Sequence, residues 1–431
     1  MHPLTRLIRE DMKPALGVTE PGAIALACAT ARKLLEAPVD TVELSLNSGI
    51  YKNAFTCGIP GTSHVGNAYS AALGVVAADP EKGLLCLDGV DDNAVAAAEQ
   101  MVKDGRITVH MSGITSRISI ETTVKGAGHT ATCLIKDAHT NIVKLIRDGK
   151  ILLDKTAELA EEEGENAVPL IHQYTLAQLL EYVETVPAEE LAFIKDAFTM
   201  NMDLLEEGLK SPRTTFARAL KAMNKGQVFS DDVEKTAALI CNGAIEARVI
   251  GLDKPAMSVT GSGSHGIIAT LPLYAWYKVE HCTEEQLLRA TALSCLVCMY
   301  IKEYSGKLSA FCGCAIAAGT GAALGLVYLM GGKLEALTKA LNNMASSITG
   351  MICNGGNQGC VMKGMTAVEL AFASARLGMQ DAYIYKEHGI NGATPEQTME
   401  NMGRIASPGM VGTEKTIVEL LQEKNAQQEK E

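Results

Sequence analysis

The sequence has few aromatic residues and no excess of positive charge. The first shortage argues against a core built on aromatic rings, and the second argues against nucleic-acid binding. Phe, Trp and Tyr make up 4% of the 431 residues, whereas glycine (40) and methionine (18) are abundant. A core with few rings and many small or flexible side chains suggests closely packed helices. The formal net charge of −12 argues against a nucleic-acid-binding protein, because such a protein needs a positive surface to displace counterions.

Long apolar runs are also missing. The most apolar stretch, Ala315–Leu329, is too short and too rich in glycine for a membrane helix, which needs about 20 apolar residues. Residues Met1–Asp11 carry charges and lack the apolar centre of a signal peptide. We therefore expect a cytoplasmic protein that does not associate with a membrane.

Twelve cysteines in a cytosolic chain need an explanation, because disulfides are rare in that compartment. Free cysteine often serves as a small buried hydrophobe. A core role is favoured for five isolated cysteines and for a C-x-x-C pair in an apolar helical stretch. These are Cys28, Cys86, Cys133, Cys241 and Cys282, and the pair Cys295 and Cys298.

The hydrophobic period changes along the chain and predicts an α+β fold. Alternation of apolar and polar residues predicts strands, and longer periodic stretches predict helices between them. The strand candidates are Val42–Leu46, Ile107–Met111, Arg117–Thr122, Thr132–Ile135 and Ile142–Ile146, and the helix candidates are Gly66–Ala78 and Asp92–Lys103. From residue 154 onward helical patterns dominate, and acidic Glu158–Glu165 is interpreted as a solvated helix or loop.

We therefore predict three parts. Residues 1–36 form a helical segment that packs on the catalytic domain. Residues 37–153 form an α+β domain with a mixed α/β sheet, and residues 154–431 form a largely all-α catalytic domain. Polar residues before helical patterns predict where helices begin. Thr19, Ser230 and Thr283 are the candidate N-caps of helices that end near Glu36, Val249 and Tyr300.

Three glycine-rich loops interrupt the helical half, namely Thr260–Gly266, Phe311–Cys314 and Cys353–Cys360. Glycine lets backbone N–H groups converge on a ligand, because no Cβ blocks the approach. Each loop is expected to adjoin the start of a helix, where unpaired N–H donors favour an anion. These loops are the first places to look for chemistry.

The loop Thr260–Gly266 is interpreted as a carboxylate-binding loop. It is not a dinucleotide fingerprint, since its third glycine is misplaced and no alternating strand–helix unit surrounds it. Its N–H groups and the hydroxyls of Thr260, Ser262 and Ser264 would be the donors. His265 could be a general base or could hydrogen-bond the loop, and the spacing alone favours the structural role.

The other two loops carry cysteines. Cys353 and Cys360 flank a turn of Asn, Gly and Gln that lets both thiolates reach one centre, and Cys312 and Cys314 precede them by a helical stretch. Thiolates without an accompanying His pattern suit iron–sulfur or zinc. The spacing leaves structural cysteines and a metal centre equally open.

Three short motifs are weak when taken singly. Thr19-Glu20-Pro21 is either an anion or ammonium site or a capping turn. Lys52-Asn53 follows one strand and His139-Thr140-Asn141 follows another, and such residues are usually solvated.

Together these motifs occur in the order of one family. They are Pro14–Gly17 with Thr19–Pro21, Lys52-Asn53 with Ile59–Thr62, His139–Ile142, Gly261–Gly263 with Gly266-Ile267, Leu308–Ala310 with Cys312, and Gly350–Cys353 with Cys360 and Met362-Lys363. On these residues the chain resembles the L-cysteine desulfidase family, which is related to the iron–sulfur L-serine dehydratases. The resemblance runs from about Lys13 to Leu420.

The resemblance implies an oxygen-sensitive [4Fe-4S] cluster that is held by three cysteines and leaves its fourth iron open to substrate. The ligands would be Cys312, Cys353 and Cys360, with Cys314 as the alternative to Cys312. The family reaction converts L-cysteine and water to pyruvate, ammonia and sulfide, and no pyridoxal phosphate is implied. A small amino-acid substrate and a homo-oligomer are expected.

We predict catalytic roles for three residues and substrate-binding roles for seven. The catalytic candidates are His265, Glu20 and Lys52, and the substrate-binding candidates are Thr19, Asn53, His139, Asn141, Gly261, Ser262 and Ser264.

The chain departs from the family pattern at several positions. Val18 stands where the family usually has cysteine, and valine can neither transfer a proton nor bind iron. His265 stands where the glycine-rich loop of the family has glutamine. Cys57 and His64 stand where the family more often has apolar or small residues. Either His265, His64 or Cys57 takes over proton transfer, or cysteine desulfidation has been lost. The predicted function is therefore an iron–sulfur lyase acting on L-cysteine or a related amino acid. The alternatives are a serine dehydratase-like deaminase and a non-catalytic protein that binds the cluster or a small ligand.

Overall fold

A computed structural model describes residues 1–157, 168–306 and 308–428. The acidic stretch Glu158–Glu165 lies outside the described residues. No helix in the described ranges is both long enough and apolar enough to cross a bilayer.

The first part of the chain alternates helices and strands. Its elements are α1 (Pro3–Asp11), β1 (Lys13–Leu16), α2 (Thr19–Leu35), β2 (Thr41–Asn47), α3 (Ser48–Ala54), α4 (Asn67–Val76), α5 (Asp92–Lys103), β3 (Ile107–Gly113), β4 (Ser119–Gly126), β5 (His129–Lys136), β6 (Ile142–Arg147) and β7 (Lys150–Asp154). Each strand and helix predicted between residues 37 and 153 is present, with small shifts at the ends.

Strands β2 to β7 form one mixed sheet in the order β3-β2-β4-β5-β6-β7. β2 pairs parallel to β3, and the other neighbours are antiparallel. Alternation puts Val42, Leu44 and Leu46 of β2 on one buried face. The Ala-rich helix α2 packs on β4, β5 and α4, and it positions Glu20 in its first turn.

The second part is mainly helical. Its elements are α6 (Leu176–Thr185), α7 (Lys195–Lys210), α8 (Phe216–Met223), α9 (Val233–Val249), β8 (Pro255–Ser258), α10 (Gly263–Glu280), α11 (Glu284–Ser305), α12 (Gly319–Leu329), α13 (Leu334–Ile348), α14 (Gly359–Met379), α15 (Pro395–Arg404) and α16 (Val411–Gln428). With the mixed sheet before it, this gives the α+β fold that the sequence predicted.

The core of the helical half consists of closely packed, small-residue helices. α9 packs on α10 and α14, and α12 packs on α11 and α14. Gly321 of α12 shows how close the helices approach, because a Cβ there would lie 2.3 Å from the carbonyl oxygen of Ser294 on α11. The helices therefore pack too closely to leave room for large aromatic rings between them, which agrees with the scarcity of aromatic residues.

Two of the three predicted N-caps are wrong. Thr283 caps α11 in a capping box with Gln286. Asp232, not Ser230, caps α9, and Thr19 is the first residue of α2, which has Val18 at the cap position. The hydroxyl of Ser230 instead donates to Asn224 Oδ1 at 2.6 Å.

The N-terminal segment joins the two halves. β1 pairs antiparallel with β8, with Lys13 opposite Ser258 and Leu16 opposite Pro255. The helix α1 contacts α11, whereas α2 lies on the sheet. The chain therefore brings Glu20 close to the loop that follows β8.

Candidate functional site

The three glycine-rich loops meet the N-terminal half at one cavity of about 80 Å³. Its wall combines residues from both halves of the chain. They are Val18, Glu20, Asn53, His139, Arg248, Thr260, Gly261, Ser262, Ser264, His265, Lys302, Leu308, Ser309, Phe311, Cys312, Gly313, Cys314, Cys353, Gly355, Gly356, Cys360 and Lys363. Each loop adjoins the start of a helix, as predicted: α10, the π-helical turn Cys314–Ala318 and α14.

Ten of the thirteen predicted site residues line this cavity, and Lys52, Thr19 and Asn141 do not. The Thr19 hydroxyl donates to Glu20 Oε2 at 3.1 Å. The Asn141 amide donates to the Lys136 carbonyl at 3.1 Å, within the turn between β5 and β6. Thr19 therefore contacts a cavity residue, and Asn141 stabilises a turn.

Lys52 lies behind the cavity wall and is fully buried. Its Nζ donates to the carbonyl oxygens of Ser309 and Cys353, both at 3.0 Å, and pairs with Glu414 Oε2 at 2.9 Å. These contacts join α3, the two cysteine loops and α16. They favour a positioning role, and the catalytic role of Lys52 stays a prediction.

The two cysteine loops are held side by side by backbone hydrogen bonds. The Cys312 N–H donates to the Met351 carbonyl at 3.1 Å, and the Cys353 N–H donates to the Ala310 carbonyl. This pairing holds the backbones of Cys312 and Cys353 together, and Cys314 and Cys360 line the same cavity. The sulfurs of Cys312 and Cys314 are 3.4 Å apart.

The thiols of this wall differ in acidity. The hydrogen bond from Cys314 holds the pKa of Cys312 at about 6 despite burial. The same contact, together with burial, raises the pKa of Cys314 well above its ordinary value. Burial raises the pKa of Cys360 to about 11. Among the described residues, no three His, Cys, Asp or Glu side chains stand close enough to hold a single metal ion.

Glu20 places a negative charge in the same cavity. Asn53 Nδ2 donates to Glu20 Oε1 at 2.8 Å, and His139 Nε2 lies 3.7 Å from the same oxygen. Burial would raise the pKa of Glu20, but His139, Asn53 and the charge of Arg248 outweigh burial and lower the pKa to about 2. Glu20 is therefore ionised at neutral pH.

His265 is a buried imidazole on the first turn of α10. Its Nδ1 lies 2.6 Å from Thr260 Oγ1. The other side of the ring faces Gly313, because a Cβ there would lie 2.6 Å from His265 Nε2. Burial and the charges of Lys302 and Arg248 hold the pKa of His265 well below its usual range. The ring is therefore neutral at pH 7.

Three residues were candidates for proton transfer, namely His265, His64 and Cys57. Of these, His265 lines the cavity and the other two do not. His64 Nε2 is 2.7 Å from Glu99 Oε1, and its ring stacks on Tyr69. Cys57 is buried, and its Sγ points to the carbonyl of Ala54. Val18 does line the cavity.

Three basic residues of the wall had no predicted role, namely Arg248, Lys302 and Lys363, although Lys363 belongs to one of the family motifs. Arg248 is buried near the end of α9, and the available signal was a charged residue inside an apolar helical stretch. Lys302 occupies a similar position on α11. Lys363 follows Cys360 by three residues and hydrogen-bonds Asn354 Oδ1.

Comparison with known proteins gives consistent matches. The family model described as serine dehydratase alpha chain matches residues 81–419. A UPF0597 protein of Clostridium botulinum is 39% identical over 426 residues, which cover 97% of this chain and 98% of that protein. UPF0597 proteins of Clostridioides difficile and Methanocella arvoryzae are each 35% identical and are covered over 99% and 97% of their lengths, with 97% of this chain matched in both cases.

Proposed function

The chain belongs to the serine dehydratase alpha-chain family, and from that premise we propose an iron–sulfur-dependent lyase. It would act on a small β-thio or β-hydroxy amino acid, such as L-cysteine or L-serine, and yield a 2-oxo acid and ammonia. One observation carries the proposal. Four thiols, an ionised carboxylate and a neutral imidazole line the same cavity.

The donor set fits a [4Fe-4S] cluster. Cys312, Cys353 and Cys360 would be its ligands, with Cys314 as the alternative to Cys312, because thiolates are the ligands that such clusters take. A four-iron cage is wider than a single ion, so thiols spread around a cavity suit it although they hold no single ion. When bound, the cluster would supply Lewis-acid chemistry for departure of the β-leaving group.

We assign the removal of the α-proton to His265. Its ring is neutral, and with Nδ1–H donating to Thr260 Oγ1 the lone pair lies on Nε2, which accepts the proton. The electron pair of the Cα–H bond becomes the second bond between Cα and Cβ, the Cβ–S or Cβ–O bond breaks, and the sulfide or hydroxide leaves with the electron pair of that bond. The aminoacrylate product then tautomerises and hydrolyses in water to the 2-oxo acid and ammonia.

Glu20 suits a different role. A carboxylate with so low a pKa is a poor base but a good partner for a cation, and its oxygens retain acceptor capacity beyond Asn53 and Thr19. We therefore assign Glu20 to hold the substrate ammonium, with His139 and Asn53 fixing its orientation.

An anaerobic assay tests the proposal. After reconstitution with iron and sulfide, the chain should bind about four irons and release ammonia and a 2-oxo acid in equal amounts from at least one small amino acid. Cys353→Ala and Cys360→Ala should lose iron and activity, whereas Cys298→Ala, in the core of α11, should keep both. Iron lost from Cys298→Ala, or kept in the other two, would show that the wrong thiols were chosen.

Val18 bears on the choice between sulfide and water as the leaving group. Val18 lines the cavity close to Gly356, where a Cβ would lie 3.1 Å from Val18 Cγ1. If valine shifted specificity away from cysteine, Val18→Cys should raise sulfide release from L-cysteine. Val18→Ala is the matched control, because it enlarges the cavity without a thiol. An equal rate in both variants would argue for proton transfer by another route.

Val18 also favours a second candidate function, that of a non-catalytic binding protein. A chain that holds about four irons but turns over no amino acid, even as Val18→Cys, would support that candidate and reject the lyase.

A further inference from the structure

A buried arginine in the cavity wall forms no ion pair with any acidic side chain that the structure describes. Arg248 is 4% exposed and lines the cavity. Its Nη1 donates to Ser264 Oγ at 2.9 Å, and its Nε has no hydrogen-bond partner in the described chain. No carboxylate of the described residues forms an ion pair with it, although the charge of Glu20 is near enough to affect its pKa.

A buried unpaired cation is costly, so its presence calls for a reason. Glu246, on the same helix, shows the contrasting case. It is fully buried, and its oxygens accept the backbone N–H groups of Thr215, Phe216 and Ala217 at the start of α8. On α9, therefore, the buried Glu246 has its hydrogen bonds supplied by the protein. The buried Arg248 retains donor capacity for a ligand.

The surroundings of Arg248 suit a small anion. Its guanidinium lies against the first turn of α10, because a Cβ on Gly263 would lie 2.6 Å from Arg248 Nε. The start of a helix offers unpaired N–H donors and a positive dipole end. Two independent features, the Arg248 Nε without a hydrogen-bond partner in the described chain and the start of α10, thus lie together in the cavity wall.

We propose that Arg248, held by Ser264, binds the α-carboxylate of the substrate at the start of α10. This inference rests on the proposed function and deepens it. With Glu20 holding the ammonium, the site selects zwitterionic α-amino acids and rejects amines and amides that lack the carboxylate.

A non-reacting pair of ligands tests the assignment without turnover. L-Alanine has no β-leaving group, and L-alaninamide has a neutral carboxamide of similar size in place of the carboxylate. Ligand-observed NMR on the anaerobically reconstituted protein should show about tenfold or more tighter binding of L-alanine. Arg248→Gln should abolish that preference, and Arg248→Lys should retain part of it.

Arg213→Gln is the matched control. Arg213 also uses its guanidinium on neighbouring carbonyls, those of Thr62 and Ile250, but it does not line the cavity, so the preference should remain. Ser264→Ala should reduce the preference for L-alanine over L-alaninamide several-fold. If Arg248→Gln does not fold, Ser264→Ala and Arg248→Lys together test the carboxylate assignment.

The outcomes separate this inference from the lyase proposal. An unchanged preference in the Arg248 and Ser264 variants overturns the carboxylate assignment, even in a protein that turns over L-serine or L-cysteine. A preference that depends on Arg248 in a protein without turnover keeps the assignment and rejects the lyase.

Discussion

Glu20 holds a buried negative charge, and that charge makes stability depend on pH. Its pKa is lowered from 4.5 to about 2, because His139, Asn53 and Arg248 outweigh the effect of burial. A carboxyl group whose pKa is depressed in the folded chain stabilises the fold above its unfolded pKa. That stabilisation is lost as the pH falls through the folded pKa.

We therefore expect the free energy of unfolding to fall by about 3 kcal/mol between pH about 4.5 and about 2 on account of Glu20 alone. Glu20→Gln should lack that component. Urea denaturation of the cluster-free chain at a series of pH values measures it. Glu99→Gln, which alters the half-exposed partner of His64, should keep the wild-type slope. Equal slopes for Glu20→Gln and the wild type would contradict the prediction.

At the residue scale, sequence motifs predicted most of the residues that line the cavity. Isolated charged residues such as Arg248 and Lys302 were not predicted. Glycine loops and paired cysteines identify their own neighbourhoods, so Gly261, Cys353 and Cys360 could be predicted to line a site. The local pattern marks Arg248 only as a charged residue in an apolar helical stretch, and its contact with Ser264 is formed only in the fold. The sequence around Lys52 likewise does not show whether its amino group will contact a ligand or, as in the structure, backbone carbonyls.

Among the elements, α3 and α16 are joined by the buried pair of Lys52 and Glu414. The amino group also holds the carbonyls of Ser309 and Cys353, so one side chain fixes both cysteine loops against two helices. Removing one partner of a buried ion pair leaves the other charge without compensation.

Lys52→Met should therefore destabilise the fold by about 3–5 kcal/mol, measured by chemical denaturation, and should weaken iron retention. The double variant Lys52→Met/Glu414→Leu should recover part of that loss, because no buried charge remains. Lys33→Met breaks the exposed pair with Glu81 and should change stability by less than about 1 kcal/mol. If Lys52→Met were as mild as this control, the pair would not hold the two helices together.

Element positions were predictable where the local pattern decides them. α5 matches its predicted range because Asp91 and the apolar period define it locally, and Thr283 begins α11 with its capping box. Ser230 failed because Asp232, two residues later, is an equally good cap, and a long-range contact with Asn224 uses the serine hydroxyl. The pairing of β1 with β8 could not be predicted, since four-residue strands carry little pattern.

In the whole molecule, the two halves share the cavity wall and the β1–β8 pairing. Chains of this length often unfold in several steps, but a wall drawn from both halves should couple them. We expect Trp276 fluorescence, which reports on α10, and far-ultraviolet circular dichroism to give the same urea midpoint. Trp276 is the one tryptophan of the sequence, so the signal is local. Two separate midpoints would show that the halves unfold independently.

The pairing of β1 with β8 also affects how the chain is made on the ribosome. Lys13–Leu16 is synthesised long before Pro255–Ser258, and at roughly 5–20 residues per second the interval is tens of seconds. During that time the apolar side chains of Leu4, Ile8 and Met12, buried in the finished protein, lack their final surroundings. Because α1 contacts α11, the nascent segment keeps this apolar surface uncovered until translation has passed α11.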